Sequence, residues 1–101
     1  MIPMERYIDR QRVWSLETFG PGFRTQGVTE HIEKEIAEVR AAPRDLDEWV
    51  DIVILALDGA WRAGHTPNDI CMALERIQMR NFARKWPPRH EQSEGPVEHI
   101  R

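Results

Sequence analysis

A chain of 101 residues makes one domain near the lower end of what supports its own core. With 17 acidic residues against 14 basic ones, the net charge of -3 leaves no basic footprint for nucleic acid, and an anionic substrate would need a cation to bring it in. The single cysteine, Cys71, excludes an internal disulfide and suits a reducing cytoplasm; no apolar run approaches the length of a membrane span or a signal-peptide core.

The first predicted helix covers residues 4 to 17, with Ile8, Val13, Trp14 and Leu16 as its inward positions. Thr18-Phe19-Gly20-Pro21-Gly22 stops it, because two glycines around a proline do not continue a helix, and a loop runs to about Gly27. A second helix, 28 to 42, carries the stripe Val28, Ile32, Ile36 and Val39, and the turn Ala41-Ala42-Pro43-Arg44 folds it back on a third, 46 to 63, that ends at Gly64. Leu46, Trp49, Val50, Val53, Leu57, Ala60 and Trp61 make one apolar stripe on the third helix, and Ile52, Ile54, Leu55 and Ala56 fill its other faces. A helix apolar all round must be covered all round, so a homo-oligomer is expected, a tetramer or a dimer. Thr66 as N-cap, Pro67 at the first helical position and Asp69 two residues on start a fourth helix that persists to about Lys85 before Trp86-Pro87-Pro88. Residues 89 to 101 are polar and without period, which predicts a mobile tail after a domain of residues 1 to 88. The fold class is all-α, a four-helix bundle.

Four acids stand out on this framework. Glu35 with Glu38, and Glu48 with Asp51, are each spaced i,i+3 on either side of the turn, so each pair shares one helix face. In an antiparallel hairpin Glu38 and Glu48 lie nearest the turn, with Glu35 and Asp51 about 4.5 Å farther along at 1.5 Å rise per residue. Four carboxylates in such a square repel one another unless cations lie between them, and all-oxygen ligation suits Mg2+ or Mn2+. Two other readings compete: a solvated acidic face, and a capping box in which Asp45 and Glu48 close the start of the third helix. Glu35 falls inside the apolar arc of its helix, which weighs against the solvated face.

Other groups gain meaning only beside these acids. Trp14, Ser15, Phe19 and the glycines after it carry no charge for a phosphate but suit a flat aromatic base. Asn81 follows Ile70, Leu74 and Ile77 on the predicted inner side of the fourth helix, and with Arg84 and Lys85 it offers an amide and two cations suited to a polyphosphate. The bland alternative is a satisfied amide and two cations complementing the helix dipole. His31 lies one turn before Glu35, and Asp58, seven residues after Asp51, reads equally as a ribose contact, a subunit contact or a packing acid.

The paired motif Glu35-x-x-Glu38 and Glu48-x-x-Asp51 resembles the signature of the all-α nucleoside triphosphate pyrophosphohydrolases, the MazG-like superfamily. Trp14-Ser15, Thr18 to Gly22, Glu30-His31-Ile32-x-x-Glu35, Glu48-Trp49-x-Asp51, Leu57 to Arg62 and Asn81-x-x-Arg84-x-Trp86-Pro87 resemble its dATP/dGTP pyrophosphohydrolase branch, which includes the MazZ-type enzymes of phages with 2-aminoadenine genomes. The likeness covers roughly residues 10 to 88; the nine-residue spacer between Glu38 and Glu48 is shorter than in many members, a difference of loop length. It implies a four-helix MazG-like fold and cleavage of a purine deoxynucleoside triphosphate to monophosphate and pyrophosphate, in a bacterial or phage-infected cytoplasm. It also implies roughly two or three Mg2+ or Mn2+ ions on Glu35, Glu38, Glu48 and Asp51. A broad house-cleaning pyrophosphatase, or a non-catalytic helical oligomerisation module, are the alternatives.

Overall fold

The computed structural model describes residues 2–101. Its helices are α1 (Met4–Phe19), α2 (Thr25–Ala41), α3 (Leu46–Arg62) and α4 (Pro67–Ala83), followed by a 3-10 turn at Arg89–Glu91. Among the described residues there is no strand, and one isolated antiparallel bridge joins Lys85 and Ile100. None of these helices is long and apolar enough to cross a membrane. The chain divides into two compact units, one up to Cys71 and one from Met72 onward.

Helix ends follow local chemistry. α1 continues two residues past its expected end, since the Thr18 hydroxyl donates to the Trp14 carbonyl at 2.8 Å. The stop comes at Gly20, whose φ of 83° suits a residue without Cβ and whose N–H donates to the Leu16 carbonyl at 2.9 Å. α2 starts at Thr25 instead of Val28, so Gly27 lies inside a helix; the Thr29 hydroxyl bonds back to the Thr25 carbonyl at 2.7 Å. Asp45 caps α3 by accepting from the Asp47 N–H at 3.0 Å. The expected box at α4 forms in full: Asp69 N–H donates to Thr66 Oγ1, and Thr66 N–H to Asp69 Oδ2, both at 3.0 Å. Those bonds hold the Asp69 carboxyl below its ordinary value.

In the first unit α3 is central, packed against both α1 and α2. Ile8, Leu57, Trp61 and Ile70 form its core, with Tyr7, Leu16, Ala60 and Cys71 packed around them. α2 and α3 form the expected antiparallel hairpin: Gly59 faces Val28 far from the turn, while Glu38 meets Glu48 near it. Along α1, Gln11 bonds Ile54 and Ser15 bonds Asp58, so α1 and α3 run in the same direction.

Several inward positions are corrected. α1 faces α3 with Ile8, Gln11 and Ser15, which leaves Val13 on the far side and Trp14 on a flank, both exposed. In α2 the buried positions are Val28, Glu35 and Val39, and Ile36, one position off that arc, is exposed. The α3 stripe is buried only in its second half, at Leu57 and Trp61, while Leu46, Trp49, Val50 and Val53 remain exposed.

In the second unit, Leu74 and Ile77 are exposed with Met72, Met79 and Phe82, since this unit holds no other α-helix to bury them. The segment expected as a free tail returns to the end of α4. Ile100 N–H donates to the Lys85 carbonyl at 2.8 Å, Gln92 Nε2 to the Pro87 carbonyl at 2.8 Å, and the Trp86 ring meets His99 edge-on at 6.0 Å. Within that segment the contacts come from the Ile100 backbone, the Gln92 amide and the His99 ring.

Candidate active site

The α2–α3 hairpin brings Glu35, Glu38 and Glu48 together, and one carboxylate oxygen from each lies within 4.8 Å of the others. Glu35 is only 6% exposed, on the inward arc of α2, and Glu38 and Glu48 are half-buried. The capping competitor does not occupy Glu48, because Asp45 caps through the Asp47 N–H. Asp51 stands outside the group of three. It is exposed, lines a cleft together with Glu35, and acts on Glu35 by its charge.

Proton affinity in this group is divided unevenly. Glu38 receives hydrogen bonds from Glu35 and from Glu48, which hold it below the ordinary carboxylate value, helped by the nearby Lys34 charge. Sharing that proton with Glu38 pushes Glu48 up to about 7, reinforced by burial and by the charges of Glu38, Asp45 and Glu35. Glu35 is raised for the same first reason, then by burial and the charges of Glu38 and Asp51, with His31 opposing. His31 Nε2 lies 3.2 Å from Glu35 Oε1. The other oxygens, Glu35 Oε2 and Glu48 Oε2, are buried without a hydrogen-bond partner. Two orphaned oxygens in a cluster of three acids fit a hard divalent cation, which takes oxygen ligands and relieves the repulsion.

Beside the acids runs a cleft of about 440 Å3, and Glu35 belongs to both. Trp14 and Phe19 wall it in an edge-to-face pair with centroids 5.6 Å apart, and the Arg24 guanidinium sits 4.5 Å over the Phe19 ring. Trp14 is 56% exposed and Phe19 49%, which leaves ring surface for a ligand. Ser15 and Asp58 also line the cleft, but their polar atoms are engaged. Ser15, 1% exposed, donates from Oγ to Asp58 Oδ1 at 2.7 Å and accepts from Arg62 Nη2 at 3.0 Å. Arg62 pairs through Nε with Asp58 Oδ2 at 3.1 Å, and its Nη1 donates to the Gly20 and Gly22 carbonyls at 2.9 and 3.0 Å. Asp58 is thus a packing acid, and Ser15 a strut of the cleft wall.

Asn81, Arg84 and Lys85 lie in the second unit: Asn81 and Arg84 are half-buried and Lys85 is exposed. The Asn81 carbonyl accepts from Trp86 Nε1 at 2.8 Å. Sequence reasoning missed Gln11 and Arg24, polar residues with no distinguishing spacing, and it missed the role of Arg62. The i,i+4 spacing of Asp58 and Arg62 was a usable signal for the last.

Among its described residues the molecule is helical without a strand, and it sets three clustered carboxylates beside an aromatic-walled cleft. The model of the dATP/dGTP pyrophosphohydrolase family matches residues 7–101, and the chain belongs to that family. It is accordingly a nucleoside triphosphate pyrophosphohydrolase, and its four helices are consistent with a MazG-like fold. Neither the curated proteins nor the solved structures compared with the chain include a match.

Proposed function

We propose that this protein hydrolyses dATP and dGTP to the deoxynucleoside monophosphate and pyrophosphate, with Mg2+ or Mn2+ held by Glu35, Glu38, Glu48 and Asp51. The observation that carries this reading is the three-carboxylate group with two orphaned oxygens, joined through Glu35 to a cleft walled by Trp14 and Phe19. Bound there, a divalent cation supplies charge neutralisation at the phosphate oxygens and acidifies water.

The chain's own residues do the rest. Trp14 and Phe19 hold the purine, while Asn81, Arg84 and Lys85 are proposed for the phosphates because an amide and two cations complement an anionic chain. The cleft wall stays in place through Arg62 on the Gly20 and Gly22 carbonyls. Glu38, the acid held ionised, takes the proton of the attacking water. The water oxygen bonds to the α-phosphorus, the bond from that phosphorus to the α–β bridging oxygen breaks, and pyrophosphate leaves with the electron pair. The exposed apolar residues of α3 and α4 support assembly into a dimer or tetramer.

The test is a panel of the canonical ribo- and deoxynucleoside triphosphates with Mg2+, Mn2+ or chelator, with products separated by chromatography. Divalent-dependent pyrophosphate release that favours dATP and dGTP is the expected result. Release of single phosphates, or turnover unaffected by chelator, would overturn it.

A further inference from the structure

Gln11 is 8% exposed and lines the cleft, one turn of α1 before Trp14. Its Nε2 donates to the Ile54 carbonyl at 2.9 Å. A carbonyl accepts only from a donor, so this bond fixes which end of the amide is which. The other end, Oε1, is buried and has no hydrogen-bond partner. An unpaired buried acceptor on a side chain that lines a cleft costs stability unless a donor reaches it.

Resting on the hydrolase reading above, we propose that Gln11 Oε1 is the base-reading acceptor, taking a hydrogen bond from the exocyclic amino group of the purine. The triphosphate of the substrate is ionised at neutral pH and offers no donor, so this oxygen repels it. Within the nucleoside half three kinds of donor remain, the exocyclic amino group of the base, the N1–H of guanine and the 3′-hydroxyl of the sugar, and of the two on the base only the amino group is common to adenine and guanine. The base is favoured because the amide and the Trp14 indole line the same cleft from consecutive turns of α1, so a ring held against the indole brings its edge toward the amide. A purine bearing hydrogen in place of the amino group would leave the acceptor unpaired, whereas water or a non-specific ligand would pair with it regardless of the base.

The decisive experiment removes single atoms from the ligand and leaves the wild-type protein intact. Calorimetric binding in Mg2+ compares dGMP with dIMP, dAMP with its 6-desamino analogue, and each parent with its 2′,3′-dideoxy form; pyrophosphate release from the matching triphosphates is followed in parallel. Loss of one of the two amino groups is expected to weaken binding about ten- to hundred-fold, with the dideoxy forms close to their parents. Gln11→Met should abolish the difference within the responding pair, its helical content and melting temperature being checked first because the Ile54 bond is also lost. Equal binding within both pairs overturns the proposal, as does a loss confined to the dideoxy forms, which would assign the acceptor to the sugar. Amino-dependent binding without pyrophosphate release breaks the hydrolase reading and leaves this one standing. Pyrophosphate release indifferent to the amino group does the reverse, and absence of any nucleotide binding overturns both.

Discussion

Two charge clusters involve α3, one near each end, and they are built on opposite rules. At the C-terminal end Asp58, Arg62 and Ser15 form a closed network in which the carboxylate and the guanidinium pair directly and the remaining donors reach loop carbonyls. Near the N-terminal end Glu48 joins Glu35 and Glu38, three acids with His31 against Glu35 from the cationic side and two oxygens unpartnered. A satisfied network holds structure, while an unsatisfied one retains free energy that a ligand can release. The comparison predicts that damage at the first end reads as lost stability and damage at the second as lost activity.

The widest separation is expected from Glu38→Gln and Asp51→Asn. Each should lower turnover, by about 10²- to 10⁴-fold for the residue that takes the proton, while circular dichroism stays unchanged and the metal-free melting temperature holds or rises as repulsion is relieved. Near-wild-type activity of either variant at saturating Mg2+ would remove that residue from the site. Arg62→Met should behave in the opposite way. It leaves Asp58 buried without its cation and frees the loop carbonyls, so denaturant unfolding should show a loss of about 3–5 kcal/mol; an unaffected midpoint would mean that the network holds nothing.

Smaller effects test the proposed division between base and phosphate contacts. Trp14→Ala removes a ring that a base can stack on, worth about 1–3 kcal/mol, and discrimination between purine and pyrimidine deoxynucleotides should erode. Arg84→Ala should weaken all triphosphates alike, because each presents the same anionic chain. The reverse pattern in kcat/KM would sink this assignment of base and phosphate groups.

The smallest effect is in pH dependence. Glu48, pushed up to about 7 from 4.5 chiefly by its hydrogen bond with Glu38, favours the folded state when protonated. Its stabilising contribution is therefore complete below pH 4.5 and lost as pH rises through 7, and Glu35 is displaced in the same direction. Glu38, held low, acts oppositely, and its contribution disappears as pH falls below its ordinary value. The metal-free melting temperature should accordingly fall between about pH 5 and 8, a slope that Glu48→Gln flattens. Added Mg2+ should reduce or invert the slope, because cation binding favours the deprotonated acids. A metal-free profile rising over that range would contradict the geometry of the three acids.

Local chemistry made much of this molecule legible from its residues alone. The Thr66–Asp69 box, the glycine at the end of α1 and the antiparallel hairpin around Pro43 depend on neighbours within a few positions, so period and capping suffice to place them. The acids were legible because i,i+3 spacing across a short turn leaves little geometric freedom, and the family resemblance rested on the same positions, with the family itself then found over residues 7–101. The tertiary structure decided what depends on one helix meeting another. It selected Gln11 and Ser15, in place of Val13 and Trp14, for the face of α1 against α3, because buried polar groups there find partners on α3. It separated Asp51 from the three clustered glutamates, and it turned Asp58 toward Arg62. Hydrophobic period reports which side of a helix avoids water; it carries no information on which polar atoms find partners, since those partners lie about forty positions away in the chain.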